Sequence, residues 1–121
     1  MAKKVLVVDD SSTVRQQLKM ALTPAGFDIS EAVDGQDGLE KIRARHAELA
    51  VIICDVNMPR MNGIEMLEAL QSEGISVPVV MLTTEGQPAL IRRAKAAGAK
   101  GWIVKPFRKD LLVRAMTKIA A

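Results

Sequence analysis

Apolar residues in this chain fall into five short runs, each followed by polar residues or glycine. The runs are Lys4–Val8, Phe27–Val33, Leu49–Cys54, Pro78–Leu82 and Gly101–Val104. Short runs that are apolar almost throughout are typical of strands buried on both faces of a sheet. The second run alternates apolar with polar residues, as an edge strand does. We therefore predict five strands, with the second at an edge.

Five further segments repeat apolar residues at the three- and four-residue spacing of a helix. Capping residues stand where these helices would begin, and glycines stand where most of them would end. The predicted helical positions are, in chain order, Val14, Leu18, Ala21, Leu22 and Ala25 before Gly26; Leu39 and Ile42 after Asp34-Gly35; Ile64, Leu67 and Leu70 between Asn62 and Gly74; Pro88–Ala97 before Gly98; and Leu111, Leu112, Ala115 and Ile119 facing inward.

Strand and helix thus alternate five times, which predicts an α/β fold with a parallel sheet and helices on both faces. Right-handed crossovers leave few strand orders open. Polar residues of possible function follow the first, third, fourth and fifth strands but not the second. The order 2-1-3-4-5 makes the four contributing strands contiguous, as expected when ligands bind beyond the carboxyl ends. At 121 residues, the whole chain 1–121 is predicted to be one domain.

Composition narrows the class of protein. Hydrophobic residues make up 49% of the chain, which argues against disorder. No apolar run approaches the roughly 20 residues of a membrane span, and the N-terminus has no secretory pattern, so a cytoplasmic location is expected. The single cysteine, Cys54, excludes an internal disulfide and is interpreted as a core thiol. His46, near a helix end, is expected to be solvated.

Charge is divided unevenly along the chain. Residues 1–85 contain 8 Lys and Arg against 13 Asp and Glu, whereas residues 86–121 contain 9 against 1. A basic excess of this kind marks either a partner surface or solvated helix faces.

Three aspartates follow strands that the predicted order makes neighbours, Asp9 and Asp10 after the first strand and Asp55 after the third. Close carboxylates repel each other, and a divalent cation would relieve the repulsion. Oxygen-only ligands from loops suit Mg²⁺ better than Zn²⁺, which prefers histidine and cysteine. The alternative for Asp9 and Asp10 is that they merely cap the first helix.

The same end of the sheet carries the groups that transfer of a phosphoryl group to a carboxylate requires. Asp55 can act as the nucleophile and form an aspartyl-phosphate. Lys105 can neutralise phosphoryl oxygens, and the Thr83 hydroxyl can donate to one of them. Taken singly, Thr83 could satisfy local backbone groups and Lys105 could be a surface lysine. The first turn lacks a glycine-rich phosphate-binding motif, so no nucleotide site is predicted.

These residues resemble the receiver domain of two-component response regulators. The resemblance covers the whole chain and is carried by the Asp9-Asp10 pair, the strand that ends in Asp55, the Asn-Met-Pro-x-Met-x-Gly loop at 57–63, Thr83, and Lys105-Pro106-Phe107. No output domain follows Ala121, so the chain is expected to be similar to single-domain regulators of the CheY-like chemotaxis kind.

The resemblance implies a flavodoxin-like (βα)5 fold and a role for each site residue. Asp55 would accept a phosphoryl group from a phosphohistidine of a sensor histidine kinase. Mg²⁺ would be held by the side chains of Asp10 and Asp55 and by the Asn57 backbone carbonyl, while Asp9 would act through a water. Lys105 would pair with Asp55 or with its phosphoryl group.

Signal output, by the same resemblance, would begin at Thr83. Its movement toward the phosphoryl group would let an aromatic residue on the fifth strand turn inward. That residue is Trp102 here, where the family more often has Tyr or Phe. Either Trp102 rotates as a switch, or it stays fixed on the surface between the fourth and fifth helices. Pro106 would follow a cis peptide bond.

The implied partners are a sensor histidine kinase, a target protein on the face of helix 4, strand 5 and helix 5, and a phosphatase. A flagellar motor switch protein is one candidate target. A monomer without a membrane partner is expected, and the resemblance implies no enzyme activity beyond its own phosphorylation and dephosphorylation. The basic charge alone would allow nucleic acid as a partner, but the chain has no spare element for a groove-reading motif, so none is predicted. Three alternatives stay open: an aspartyl-phosphate phosphatase or phosphotransferase, a phosphate sink, and an unphosphorylated protein-binding module.

Overall fold

The computed structural model describes residues 2–121, in which five strands alternate with five helices. The elements are β1 (Lys3–Val8), α1 (Ser12–Leu22), β2 (Phe27–Ala32), α2 (Gly35–Arg45), β3 (Leu49–Cys54), α3 (Gly63–Ser72), β4 (Val79–Thr83), α4 (Pro88–Ala96), β5 (Gly101–Val104) and α5 (Lys109–Ile119). Single 3₁₀ turns at Thr23–Ala25 and His46–Glu48 follow α1 and α2. All ten predicted elements are present.

The sheet has the strand order β2-β1-β3-β4-β5, and every neighbouring pair is parallel. The last residue of β1, Val8, lies opposite Ala32 of β2 and Cys54 of β3. The carboxyl ends of these strands therefore meet at one edge of the sheet. The predicted α/β class, the flavodoxin-like order 2-1-3-4-5 and the edge position of the second strand are all confirmed.

Two hydrophobic layers cover the faces of the sheet. On one face, α1 and α5 bury residues such as Leu18, Leu22 and Leu112. On the other face, α2, α3 and α4 bury residues such as Leu39 and Leu70. Strand side chains alternate between the two layers, which explains why almost every position of β1, β3 and β4 is apolar.

Cys54 belongs to the second of these layers and is completely buried. Burial raises the pKa of its thiol well above the ordinary value, because a thiolate would lose its hydration there. The thiol is therefore a core group, as predicted, and His46 is exposed as expected.

Some predicted inward, helix or strand positions are wrong, including Pro78, which precedes β4, and Ala97, which follows α4. Leu111 is 47% exposed, because the inward stripe of α5 runs through Leu112 and Met116 and an adjacent residue is rotated by about 100° around a helix. Ala25 is exposed because the chain tightens into a 3₁₀ turn after Leu22. Val33 lies beyond β2 and is 48% exposed.

Among residues 2–121, no helix combines the length and the apolar character needed to cross a membrane.

Candidate functional site

Three aspartates converge where β1 and β3 end side by side. The Asp55 N–H donates to the Val8 carbonyl at 3.0 Å, so the strand pairing places the residues after both strands together. Carboxylate oxygens of Asp9, Asp10 and Asp55 lie within 4.8 Å of one another. Asp9 and Asp55 are buried, whereas Asp10 is exposed. The predicted convergence of the three carboxylates is therefore present.

Lys105 joins two of these aspartates. Its Nζ donates to Asp9 Oδ2 at 2.9 Å and to Asp55 Oδ2 at 3.1 Å. The lysine follows β5, and its own N–H donates to the carbonyl of Thr83 at 2.8 Å, which anchors it beside β4. The Lys105–Pro106 peptide bond is cis. With a side chain only 16% exposed, Lys105 is part of the site, and its interpretation as an ordinary surface lysine is wrong.

Burial and pairing act in opposite directions on these charges. Burial raises the pKa of Asp9, although its hydrogen bonds to the Ser11 N–H and Lys105 partly offset this effect. Burial lowers the pKa of Lys105, but the hydrogen bonds to Asp9 and Asp55 outweigh it, so the pKa lies above its ordinary value. The lysine is therefore charged at neutral pH and compensates for part of the negative charge around it.

The second oxygen of each buried carboxylate accepts a backbone hydrogen bond. Asp9 Oδ1 accepts from the Ser11 N–H at 2.9 Å, and Asp55 Oδ1 accepts from the Val56 N–H at 2.7 Å. The N-cap of α1 is Ser11, whose hydroxyl accepts from the Val14 N–H. Helix capping is therefore not the role of Asp9 or Asp10, and that alternative is wrong.

The donor set fits Mg²⁺. All three converging side chains offer carboxylate oxygens, and the one lysine leaves part of their negative charge uncompensated. Hard oxygen ligands on loops are what Mg²⁺ takes in proteins, often together with a phosphate.

Thr83, the last residue of β4, is completely buried beside the site. Its hydroxyl oxygen accepts from the Glu85 N–H at 3.2 Å, which is the local backbone contact considered for this residue. The Glu85 carbonyl accepts from the indole N–H of Trp102 at 2.9 Å, and the Glu85 carboxylate accepts from the Asn57 side-chain amide at 2.6 Å. Glu85 thus links the loops after β3 and β4 to the aromatic residue of β5.

Sequence reasoning missed Glu85 and also the ion pair between Arg60 and Asp34. The role of Glu85 and this ion pair both depend on contacts between loops, which no residue spacing in the sequence predicts. The sequence signal that could find them is the loop motif at 57–63, which contains both Asn57 and Arg60.

A groove of about 670 Å³ opens beside Lys105, between α1 and α5. Its lining is mainly apolar and includes Val14, Met20, Ala21 and Phe107. The groove places apolar surface next to the charged end of the site.

Comparison with known proteins identifies the family. The family model described as "Response regulator receiver domain" matches residues 5–117. The chain belongs to the response regulator receiver domain family. This receiver domain is 42% identical over 112 residues to chemotaxis protein CheY1 of Helicobacter pylori, covering 90% of each chain.

Solved structures agree with this assignment. The receiver domain aligns with the structure of chemotaxis response regulator CheY4 of Vibrio cholerae with a TM-score of 0.88 and 39% identity, covering 98% of this chain and 99% of that one. It aligns with a CheX-CheY-BeF3-Mg²⁺ complex of Borrelia burgdorferi with a TM-score of 0.92 and 28% identity, covering 98% and 90%. CheY-like receiver domains are signalling switches and not enzymes in the usual sense.

Proposed function

We propose that this receiver domain is a phosphorylation-controlled switch of a two-component pathway of the chemotaxis type. The observation that carries the proposal is the position of Lys105, which bridges Asp9 and Asp55 where three carboxylates converge. The similarity to CheY proteins supports the chemotaxis assignment. A cytoplasmic location belongs to the same proposal.

The phosphoryl donor is a phosphohistidine of a sensor histidine kinase. A carboxylate oxygen of Asp55 forms a bond to phosphorus while the P–N bond breaks, and the electron pair of that bond stays on the imidazole. The Lys105 ammonium, 3.1 Å from Asp55 Oδ2, stands where it can neutralise charge on the transferred group. The apolar groove beside Lys105 offers the donor protein a surface to bind.

Mg²⁺ is the metal that this site would hold. Asp10 and Asp55 would bind it through their side chains and Asn57 through its backbone carbonyl, while Asp9, which is buried and paired with Lys105, would act through a water. The bound ion supplies charge neutralisation and orientation to the phosphoryl oxygens. The complex of the Borrelia CheY with BeF3 and Mg²⁺ supports this assignment.

The switch begins at Thr83. Its hydroxyl moves toward a phosphoryl group on Asp55, as in the family, and that movement would disturb its contact with the Glu85 N–H. Trp102 responds because its indole N–H is bonded to the Glu85 carbonyl. Rotation of Trp102 would require this hydrogen bond to break, so the loop at Glu85 controls whether the indole turns or stays.

The output surface is the face of α4, β5 and α5. Residues 86–121 contain 9 basic residues and 1 acidic residue, and exposed Val104 and Leu111 lie among them. The target protein is therefore expected to be acidic where it contacts this face, and its affinity should fall as salt is added. Binding measured at rising ionic strength tests this expectation, and an affinity that does not depend on salt would contradict it.

Intact mass tests the central proposal. After incubation with a small acyl phosphate and Mg²⁺, the chain should gain the mass of one phosphoryl group. A metal chelator should prevent the gain, because the carboxylates would then repel the incoming group. A flat response of Trp102 fluorescence to beryllofluoride and Mg²⁺, together with no gain in mass, would contradict the proposal and favour a protein-binding module.

A further inference from the structure

The loop between β3 and α3 contains a strained turn centred on Arg60. The φ angle of Arg60 is +66°, in the left-handed region that residues with a Cβ avoid. The N–H of Met61 donates to the carbonyl of Pro59 at 2.7 Å across it, which closes a three-residue γ-turn. Strained turns persist where surrounding contacts hold them, and they cluster at functional sites.

The contact that holds the side chain of Arg60 is an ion pair with Asp34. Arg60 Nε donates to Asp34 Oδ2 at 2.7 Å. The other oxygen of Asp34 accepts from the Asp37 N–H at 2.8 Å and caps α2. Because Asp34 is 4% exposed and fixed by this cap, it is a rigid anchor for the arginine. The hydrogen bond from Arg60 also lowers the pKa of Asp34, so the pair is ionic at neutral pH.

The backbone next to Arg60 also contacts the start of α2, at the residue after Asp34. The Gly35 N–H donates to the carbonyl of Met61 at 3.1 Å. A Cβ at Gly35 would stand 2.3 Å from that carbonyl oxygen, so only glycine allows the approach. Side chain and backbone therefore fasten one point of the loop to the N-terminus of α2.

Asn57, whose backbone carbonyl is proposed to bind Mg²⁺, lies three residues before Arg60 on the same short loop. We propose that Arg60 is a positioning residue for Mg²⁺, which acts through Asp34 to hold this loop in the conformation that the ion requires. The inference rests on the proposed function. It assigns to an exposed arginine a part in cation binding although its own charge repels cations.

Because of this repulsion, the direction in which Arg60→Ala changes the Mg²⁺ affinity shows how the arginine acts. If the arginine acted through its charge alone, Arg60→Ala would strengthen Mg²⁺ binding, because one positive charge near the ion would be gone. If the arginine positions the loop, the same change weakens binding, because the free loop must be ordered when the ion binds. The two causes therefore predict opposite changes in affinity.

Calorimetric titration of the whole chain with Mg²⁺ measures this. Arg60→Ala should raise the dissociation constant on the order of tenfold, the low end of what loss of an outer partner costs a metal site. Arg43→Ala is the matched control, because Arg43 forms a two-bond ion pair with Glu73 at the other end of α2. That variant should leave the dissociation constant unchanged.

Arg60→Gly tests whether weaker Mg²⁺ binding comes from loss of the arginine contact or from a less stable turn. Glycine adopts the positive φ without strain, so this variant should fold at least as readily at the turn as Arg60→Ala and still bind Mg²⁺ more weakly than the unaltered chain. Equal or tighter binding by both variants would overturn the inference and leave the proposed function standing. Absence of Mg²⁺ binding by the unaltered chain would overturn both.

Discussion

Asp55→Asn should abolish the gain of a phosphoryl group while leaving the fold intact. The amide has nearly the shape of the carboxylate, and its oxygen can still accept from the Val56 N–H at the 2.7 Å position of Oδ1. It offers no anionic oxygen to attack phosphorus. Intact mass after incubation with an acyl phosphate and Mg²⁺ should therefore be unchanged, where the unaltered chain gains one phosphoryl group.

The stability of this variant is part of the expectation. Asp9 is also buried and remains paired with Lys105, so the substitution removes one of three close carboxylates and not the compensating charge. Thermal unfolding at neutral pH should show a midpoint no lower than that of the unaltered chain. The matched control is Asp28→Asn on the exposed edge strand β2, which should gain the phosphoryl group normally. Phosphoryl gain by Asp55→Asn at the normal rate would place the nucleophile elsewhere.

The sheet was predictable because strands buried on both faces have an easily recognised apolar sequence. Strands covered on both faces need apolar side chains at nearly every position, and β1, β3 and β4 have them. The polar residues that follow these strands could then be assigned to one edge. Convergence of Asp9, Asp10 and Asp55 was predictable for this reason, before any contact was known.

The helices were predicted less well in detail. Leu111 and Leu112 are adjacent, and helical spacing alone does not say which one faces the core. The structure resolves the choice through Met116, four residues after Leu112, which lies completely buried on the same stripe. Helical spacing predicts an inward position for both leucines, and only packing against the rest of the protein shows that Leu112 is the buried one.

Contacts between loops were beyond sequence reasoning. Asp34 has an ordinary explanation as a helix cap, and that explanation is correct, so nothing signalled its second bond to Arg60. Likewise, no sequence pattern indicates that the Glu85 carboxylate and carbonyl contact Asn57 and Trp102. Such pairs are 17 to 28 residues apart, and they are neighbours in space because the sheet places their loops side by side.

Gly63→Ala should be strongly destabilising. Gly63 is the first residue of α3, and its N–H donates to the Val56 carbonyl at 2.9 Å. A Cβ at this position would stand 2.0 Å from the backbone oxygen of Asp55, a distance that no side-chain rotation relieves. The loop between Asp55 and α3 would have to move. We expect a loss of about 3 kcal/mol or more in the free energy of unfolding and a melting midpoint lower by roughly 10 °C, measured by denaturant and thermal unfolding.

Helix propensity predicts the opposite sign for this change, because alanine is favoured over glycine in a helix by about 1 kcal/mol. The two physical causes can therefore be separated in one measurement. Gly86→Ala is the control, since a Cβ there would meet no atom within 4 Å and its φ is not in the left-handed region. That variant should be as stable as the unaltered chain or slightly more so. A Gly63→Ala chain as stable as the control would show that the loop next to Asp55 yields without cost, and the close approach of Gly63 would then not constrain the site.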